Sequence, residues 1–177
     1  MVRTDRDFSI IPMSLQGTIF VIIICLGIAA AFIAPFFLEP FSLAAIIISG
    51  IVCSVVGILI GSLGYQAKKA TFSITDRSLV IKPGIYGRTI PKEDIVIDGV
   101  RIINLNNESN YKPKWRTNGA GLIGYLAGWF SLHNGERALL FLTDRSSVVY
   151  IPTKNNYSVL LSVKEADLML EQLQNWN

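Results

Sequence analysis

Two long apolar blocks occupy the first third of the chain. Residues 15–37 read LQGTIFVIIICLGIAAAFIAPFF and residues 42–64 read SLAAIIISGIVCSVVGILIGSLG, and no charged residue interrupts either block. A helix over either block would be roughly 34 Å long at about 1.5 Å per residue, which exceeds a hydrocarbon core of roughly 30 Å. The pattern therefore predicts two membrane-spanning helices.

The residues that flank these blocks predict their orientation. Only residues 38–41 separate the two helices, so the helices are expected to be antiparallel. Arg3 and Arg6 precede the first block and Lys68 and Lys69 follow the second, whereas the connection contains no Lys or Arg. By the positive-inside rule both ends of the hairpin face the cytoplasm. We therefore expect a multi-pass membrane protein with both termini cytoplasmic.

The hairpin has the composition of an anchor. Its first block is longer than the apolar region of a signal peptide, which is roughly 7–15 residues. Neither block carries the ionisable side chains that ion or proton pathways need. Gly57 and Gly61 form a GxxxG motif, which permits close approach of two helices. We interpret these glycines as packing against Gly27 and Ala31 of the first helix, with homo-oligomerisation through the same glycines as the alternative.

From Ala70 onward, short alternating runs replace the long apolar blocks. Alternation of apolar and polar residues between turn residues predicts β-strands. The predicted strands cover residues 70–75, 79–82, 88–95, 100–105, 125–133, 137–143, 148–153 and 158–163. No strand is predicted in the polar, glycine-rich stretch 106–124.

The C-terminal residues follow a helical pattern instead. Ser162 and Glu165 have the spacing of a capping box at the start of a helix. The apolar positions after them recur at helical spacing and form one face, which consists of Ala166, Met169, Leu170 and Leu173. A helix with such a face is expected to pack against the strands.

The predicted fold is α+β and mainly β, with a small antiparallel β-barrel or curled sandwich capped by the C-terminal helix. A two-helix transmembrane hairpin precedes it. The chain is thereby divided into a cytosolic N-terminal tail at residues 1–14, the helical hairpin at 15–64 and a cytosolic domain at 65–177.

Composition excludes several kinds of site. Cys25 and Cys53 both lie within the apolar blocks, His133 is the single histidine, and no CxxC motif occurs. These residues do not match a Cys/His zinc site, so no metal and no cofactor are expected. The net charge of +3 is too small to indicate nucleic-acid binding by itself.

The glycines of residues 116–125 match a nucleotide-binding motif in spacing only. Gly119, Gly121 and Gly124 form GxGxxG, but that function needs a buried strand before the motif and a helix after it. Neither is predicted here, so we interpret the glycines as structural. No carboxylate is placed by the sequence to complete a triad with Ser131 and His133. No catalytic residue is therefore predicted, and a membrane-bound enzyme is a minor alternative.

Residues 111–116, YKPKWR, interleave cations with aromatic side chains. The predicted contact residues are Lys112, Lys114, Trp115 and Arg116, which we call the basic–aromatic cluster. Beside a membrane anchor, the cations suit lipid phosphates and the tryptophan suits the interface. A solvated loop with Trp115 packed on the domain is the alternative. Single-stranded nucleic acid is disfavoured because three cations are few for that partner.

Three segments carry a family resemblance. They read ATFSITDRSLVIKPGIYGRTIPKEDI at residues 70–95, RTNGAGLIGYLAGWF at 116–130 and ALLFLTDRSSVVYIPT at 138–153, and the closing helix follows them. This arrangement resembles the Pleckstrin homology (PH)-like domains that bacteria attach to membrane hairpins. The resemblance implies a small barrel that binds lipids, peptides or partner proteins, without catalytic residues. The turn at residues 75–78 has a single cation, Arg77, so inositol-phosphate recognition is not implied.

The combined interpretation is a PH-like binding or scaffold module, anchored in the inner membrane of a bacterium as the resemblance implies, rather than an enzyme. Its expected partners are anionic lipid headgroups, contacted through the basic–aromatic cluster. The alternative is recruitment of a partner protein without lipid recognition, and nucleic acid is not expected. Ionic strength distinguishes these interpretations, because contact with lipid through cations weakens strongly as salt rises.

Overall fold

The structure, a computed structural model, describes residues 6–34, 37, 43–82 and 85–176. Within these ranges the side chains of residues 63, 64 and 66–69 are not described. The connection at residues 38–41, Arg3 and the side chains of Lys68 and Lys69, on which the predicted orientation depends, therefore lie outside the described residues.

Both apolar blocks form helices. Helix α1 spans Leu15–Ile33 and begins after Ser14, whose hydroxyl oxygen accepts a hydrogen bond from the Gly17 N–H at 3.2 Å. Helix α2 spans Leu43–Lys69 and so continues beyond its predicted end at residue 64. Both helices are long and apolar enough to cross a membrane. Only 6% of the most apolar stretch of α1 and 0% of that of α2 is buried within the protein. Such exposure is consistent with a transmembrane hairpin.

The two helices touch one another in antiparallel orientation. The Cys53 Sγ lies 3.4 Å from the carbonyl oxygen of Ile28. A Cβ at Gly50 would lie 3.3 Å from the ring of Phe32. Because the contacts move backwards along α2 as they move forwards along α1, the helices run in opposite directions.

The GxxxG glycines take no part in that contact. A Cβ at Gly57, Gly61 or Gly27 would meet no atom outside its own helix within 4 Å. The predicted packing of Gly57 and Gly61 against Gly27 and Ala31 is therefore wrong, because the helices meet along a different face.

A strand that precedes the hairpin belongs to the β-rich domain. Strand β1, Arg6–Ser9, pairs antiparallel with strand β2, Thr71–Ile74, and Phe8 lies opposite Phe72. Phe8 is 2% exposed. The separate tail predicted for residues 1–14 is therefore wrong for this segment, because β1 adds a strand and a core side chain to a sheet that otherwise follows the hairpin.

The segment that connects β1 to α1 also contacts the β-rich domain. Ile10 is buried and forms a β-bridge with Val163. The Ile11 N–H donates to the Ser162 carbonyl oxygen at 3.0 Å. Since α1 and α2 connect to neighbouring strands, both helices leave the domain on the same side.

Ten strands form two sheets in the part of the chain that the structure describes. The first has the order β1–β2–β3–β4, with β3 at Ser78–Lys82 and β4 at Arg88–Pro91. The second has the order β5–β9–β10–β8–β7–β6. Its strands are β5 Arg101–Ile103, β6 Pro113–Leu122, β7 Tyr125–Leu132, β8 Arg137–Leu142, β9 Val148–Pro152 and β10 Tyr157–Leu161. All eight predicted strands have an observed counterpart, whereas β1 and β6 were not predicted.

The two sheets pack face to face as a sandwich and do not close into one barrel. The ring of Phe72 meets that of Phe141 edge-on at 5.9 Å between centroids, which joins the two sheets. The other face of the six-stranded sheet buries a second apolar cluster around Phe130 and Leu140. Strand β10 lies between β8 and β9 and is parallel to β8, so the prediction of antiparallel pairing fails for this one pair.

Helix α3, Ala166–Gln174, closes the domain as predicted. Its buried side chains are Ala166, Met169 and Leu173, and Leu170 is half-buried. The predicted capping box is wrong, because the buried Ser162 hydroxyl donates to the Asp144 carbonyl oxygen at 2.7 Å instead. The predicted β-rich domain with a C-terminal helix is confirmed.

Candidate functional site

The basic–aromatic cluster lies mostly on an edge strand. Strand β6 is the last strand of the six-stranded sheet and pairs only with β7. The pairing shifts register between Pro113 and Trp115 and again between Arg116 and Asn118. Such bulges bend an edge strand and interrupt its free hydrogen-bonding groups, so they disfavour addition of another strand there.

The structure does not bring the four cluster residues together. Trp115 pairs with Ser131 and Arg116 with Phe130, so these two side chains point to opposite faces of the sheet. The Trp115 side chain is 66% exposed. Lys112 is engaged locally, because its Nζ donates to the Asn106 carbonyl oxygen at 3.0 Å.

Lys114 and Arg116 instead share an open cleft with a third cation, Arg145. The cleft is lined by Lys114, Arg116, Gly121, Leu126 and Arg145, and it continues to Ser14 and Gln16 at the start of α1. We call it the α1 cleft. Arg145 was missed by the sequence analysis because it lies in the turn between β8 and β9, distant in sequence from β6. Its only signal was a lone cation in the segment TDRSS.

Contacts at the end of the sheet hold this cleft beside α1. A Cβ at Gly17 would lie 2.7 Å from the Ile123 carbonyl oxygen in the β6–β7 turn. The Thr143 hydroxyl, at the end of β8, donates to the Ile11 carbonyl oxygen at 2.6 Å. The turns after β6 and β8 therefore both face the residues that lead into α1.

The three glycines of the GxGxxG motif form part of the β6–β7 hairpin. A Cβ at Gly119 would lie 2.5 Å from the Ala127 carbonyl oxygen, so the two strands leave no room for a side chain. Gly124 has φ +82° in the turn, a conformation that favours glycine. A Cβ at Gly121 would lie 3.9 Å from the Arg116 guanidinium, so the missing side chain leaves space for that cation.

An ionised carboxylate fixes the turn that carries Arg145. The Ser146 hydroxyl and N–H both donate to Asp144 Oδ1. The hydrogen bond from that hydroxyl, followed by weaker backbone hydrogen bonds, holds the pKa of Asp144 below its usual range despite partial desolvation. The carboxylate of Asp144 therefore accepts its hydrogen bonds from residues of its own turn.

His133 and the neighbouring carboxylate of Glu136 both have structural partners. The His133 Nδ1 lies 3.0 Å from the Lys112 carbonyl oxygen, and Glu136 accepts hydrogen bonds from the Tyr150 and Ser158 hydroxyls. Among the described residues, no group of three or more His, Cys, Asp or Glu side chains is placed to hold a metal ion.

A family model of the bacterial PH domain matches residues 70–176, which is more than half of the chain. The chain belongs to the bacterial PH domain family. No curated protein and no solved structure matches it. The matched range begins one residue before β2, so in this PH domain the first strand, β1, comes from outside the matched segment.

The face of the PH domain on which Trp115 lies carries stacked arginine and aromatic side chains. The Arg137 guanidinium lies 4.2 Å and that of Arg88 5.1 Å from the Trp129 ring centroid. The Trp129 and Tyr157 rings meet edge-on at 5.1 Å. We call these four side chains the arginine–aromatic surface, and Trp115 adjoins it through the row Trp115, Ser131 and Arg137.

Proposed function

We propose that this protein is a PH-domain module anchored in the bacterial inner membrane by the α1–α2 hairpin, where it binds anionic lipid headgroups in the α1 cleft. Both helices cross the bilayer in this proposal, and the PH domain and both termini are cytoplasmic. The observation that carries it is the cleft that groups Lys114, Arg116 and Arg145 and continues from Arg145 to Ser14 and Gln16 at the start of α1. A spanning helix begins near the headgroup layer, so in this proposal the Arg145 end of the cleft is nearest to the lipid phosphates, and Arg116 and Lys114 follow along β6.

The size of the electrostatic effect fits a tethered module. Each cation near an anionic leaflet contributes about 1 kcal/mol, so three contribute a few kcal/mol at most. Such a site would bind weakly from solution. Anchoring makes the encounter intramolecular and raises the effective headgroup concentration to the order of millimolar or above, so a weak site is sufficient.

The α1 cleft replaces the basic–aromatic cluster as the proposed contact surface. Lys114 and Arg116 are retained from that cluster and Arg145 is added. Lys112 and Trp115 are left out, because one bonds to Asn106 and the other points to the opposite face.

The test uses full-length protein in nanodiscs of phosphatidylcholine, with and without phosphatidylglycerol. Amide hydrogen exchange in residues 113–122 and 143–147 is expected to be slower when phosphatidylglycerol is present. The difference should fade as salt rises, because the Debye length falls from roughly 10 Å at 0.1 M to roughly 3 Å at 1 M.

Two triple variants with the same change in charge make the test specific. Lys114→Gln/Arg116→Gln/Arg145→Gln should abolish the effect of phosphatidylglycerol. Arg77→Gln/Lys92→Gln/Lys154→Gln should preserve it, because these cations line a cleft near the opposite end of the strands. Equal exchange in the two lipids, or equal behaviour of the two variants, would contradict headgroup binding in the α1 cleft.

The arginine–aromatic surface favours a second candidate function, recruitment of a partner protein. Arg, Trp and Tyr are the side chains that most often dominate protein interfaces. Arg88 and Arg137 are exposed, whereas Trp129 and Tyr157 are half-buried. The test compares capture of proteins from native membranes by wild type, by Lys114→Gln/Arg116→Gln/Arg145→Gln and by Arg88→Gln/Arg137→Gln. A protein captured by the first two but not by the third would support this function. Equal capture by all three would argue against it.

A further inference from the structure

We propose that the β6–β7 turn inserts into the membrane interface, with the Ile123 side chain entering the boundary between headgroups and acyl chains. This inference rests on the part of the proposed function in which α1 crosses the bilayer, and not on headgroup recognition in the α1 cleft. It assigns a lipid contact to an apolar side chain that lies outside the two helices.

The depth of Ile123 follows from its contact with α1. A Cβ at Gly17 would be 2.7 Å from the Ile123 carbonyl oxygen, and a Cβ at Gly124 would be 3.1 Å from the Gly17 Cα. Gly17 lies two residues after the first residue of α1, which is about 3 Å along the helix axis. The turn is therefore level with the first turn of the helix.

The length of α1 fixes that level relative to the bilayer. The helix has 19 residues, which gives roughly 28 Å against a hydrocarbon core of roughly 30 Å. So short a span leaves little freedom to slide along the membrane normal. The first turn of α1, and with it the β6–β7 turn, must lie close to the boundary of the hydrocarbon core.

The second helix places an aromatic side chain at the same level. Contacts of Cys53 with Ile28 and of Gly50 with Phe32 define the antiparallel register of the hairpin. Continued along both helices, this register brings Tyr65 level with residues 16–17 of α1. Tyr65 is 57% exposed, and tyrosine is enriched at membrane–water interfaces.

The turn itself has the chemistry of an interfacial contact. Ile123 is 55% exposed although it is fully apolar. Ile123 lines the same part of the cleft as Arg145, and Arg116 lines the adjoining part. An apolar side chain beside cations matches the boundary where hydrocarbon meets anionic headgroups. The close approach of Gly17 and Gly124 leaves no room for a side chain at either residue, so it brings the turn against the helix.

A fluorescent probe at residue 123 tests the depth directly. In full-length protein carrying Cys25→Ala and Cys53→Ala, Ile123→Cys is labelled with an environment-sensitive NBD probe and placed in phosphatidylcholine nanodiscs. We expect blue-shifted emission, quenching by lipids that carry a doxyl group high on the acyl chain, and quenching by aqueous iodide that is several-fold weaker than at a control site. The control is Val96→Cys, which is 38% exposed and lies on a segment paired with Pro152.

Further variants separate this inference from headgroup binding. The probe at residue 123 should remain quenched by doxyl lipids in neutral nanodiscs and in the Lys114→Gln/Arg116→Gln/Arg145→Gln background. Strong quenching by iodide together with no effect of doxyl lipids would overturn the inference, even if phosphatidylglycerol still slowed exchange in the α1 cleft. Hydrogen exchange of unlabelled Ile123→Asp provides a probe-free check. Faster exchange in residues 121–125 than in wild type is expected, and unchanged exchange would count against insertion.

Discussion

The two sheets of the PH domain are assembled from the chain in different ways. The six-stranded sheet uses residues 101–161 without interruption, whereas the four-stranded sheet joins β1 to β2 across the entire helical hairpin. Pairing of distant segments costs loop-closure entropy. Here the antiparallel contact between α1 and α2 already brings the flanking residues together. The hairpin is therefore an insertion within a sheet, and its formation favours completion of that sheet.

The two sheets also differ in how they are attached to the helices. The four-stranded sheet is joined covalently to both helices, through Ser9 and Thr71. The six-stranded sheet is joined to α1 and the segment before it by non-covalent contacts, such as that of Ile123 with Gly17 and that of Thr143 with Ile11. The cations of the α1 cleft belong to this second sheet, so their position depends on how the two sheets pack together.

The largest expected effect comes from removing β1. A fragment of residues 66–177 lacks one strand together with the buried side chains of Phe8 and Ile10. Loss of each large core side chain costs about 2–5 kcal/mol, and a whole domain is stable by only about 5–15 kcal/mol. We expect this fragment to show no cooperative thermal unfolding by circular dichroism.

A second fragment is the matched control. In it a flexible Gly/Ser linker replaces residues 15–64, so that β1 is retained without the helices. This fragment should unfold cooperatively. If the two fragments unfolded at the same temperature, β1 would not be an integral part of the domain.

A smaller effect is expected from a single core substitution in each sheet. Phe8→Ala should lower the free energy of unfolding by about 3–5 kcal/mol, and Leu140→Ala by about 2–5 kcal/mol, because both side chains are buried. In the linker-joined fragment, urea titration should show one transition shifted by either substitution. Exposed Ser9→Ala should change stability by less than about 0.5 kcal/mol. Two separate transitions would show that the sheets unfold independently.

Most of the strands could be predicted from the sequence because they alternate between core and surface. Strand β1 could not, because its only local signal is the pair Phe8 and Ile10, and its partner lies beyond the hairpin. Strand β6 could not, because an exposed edge strand has polar residues on both faces and so lacks alternation. The parallel pairing of β8 with β10 also has no local signal.

The candidate site was predictable only in part for the same reason. Composition identified Lys114 and Arg116 but grouped them with Trp115, which a strand conformation places on the opposite face. Arg145 reaches the cleft only because β7 and β8 fold back beside β6. Contacts between side chains that are distant in sequence follow from sheet order, which alternation does not determine.

An intermediate effect is expected where α3 meets the four-stranded sheet. The Trp176 Nε1 donates to the Thr75 carbonyl oxygen at 2.9 Å, in the turn between β2 and β3. Trp176→Phe keeps an aromatic ring but removes this donor, so stability should fall by about 1 kcal/mol. Chemical denaturation measures the change, with exposed Asn175→Ala as the control. A loss equal to that of the control would mean that this hydrogen bond does not help to join α3 to the sheet.

The smallest expected effect concerns the turn of the six-stranded sheet that carries Arg145. The Ser146 hydroxyl holds the pKa of Asp144 below its usual range. A carboxyl group with a lowered pKa contributes stability above its unfolded pKa, about 3.9, and this contribution is lost as pH falls through the folded pKa. The melting temperature of wild type should therefore exceed that of Asp144→Asn by a small, constant amount from about pH 5 to about pH 8, because this whole range lies above the unfolded pKa. Below pH 4 the difference should shrink, because protonation removes from wild type the same charge that the substitution removes. A difference that grew on acidification would mean that the negative charge of Asp144 destabilises the turn, and the position of Arg145 would then need another cause.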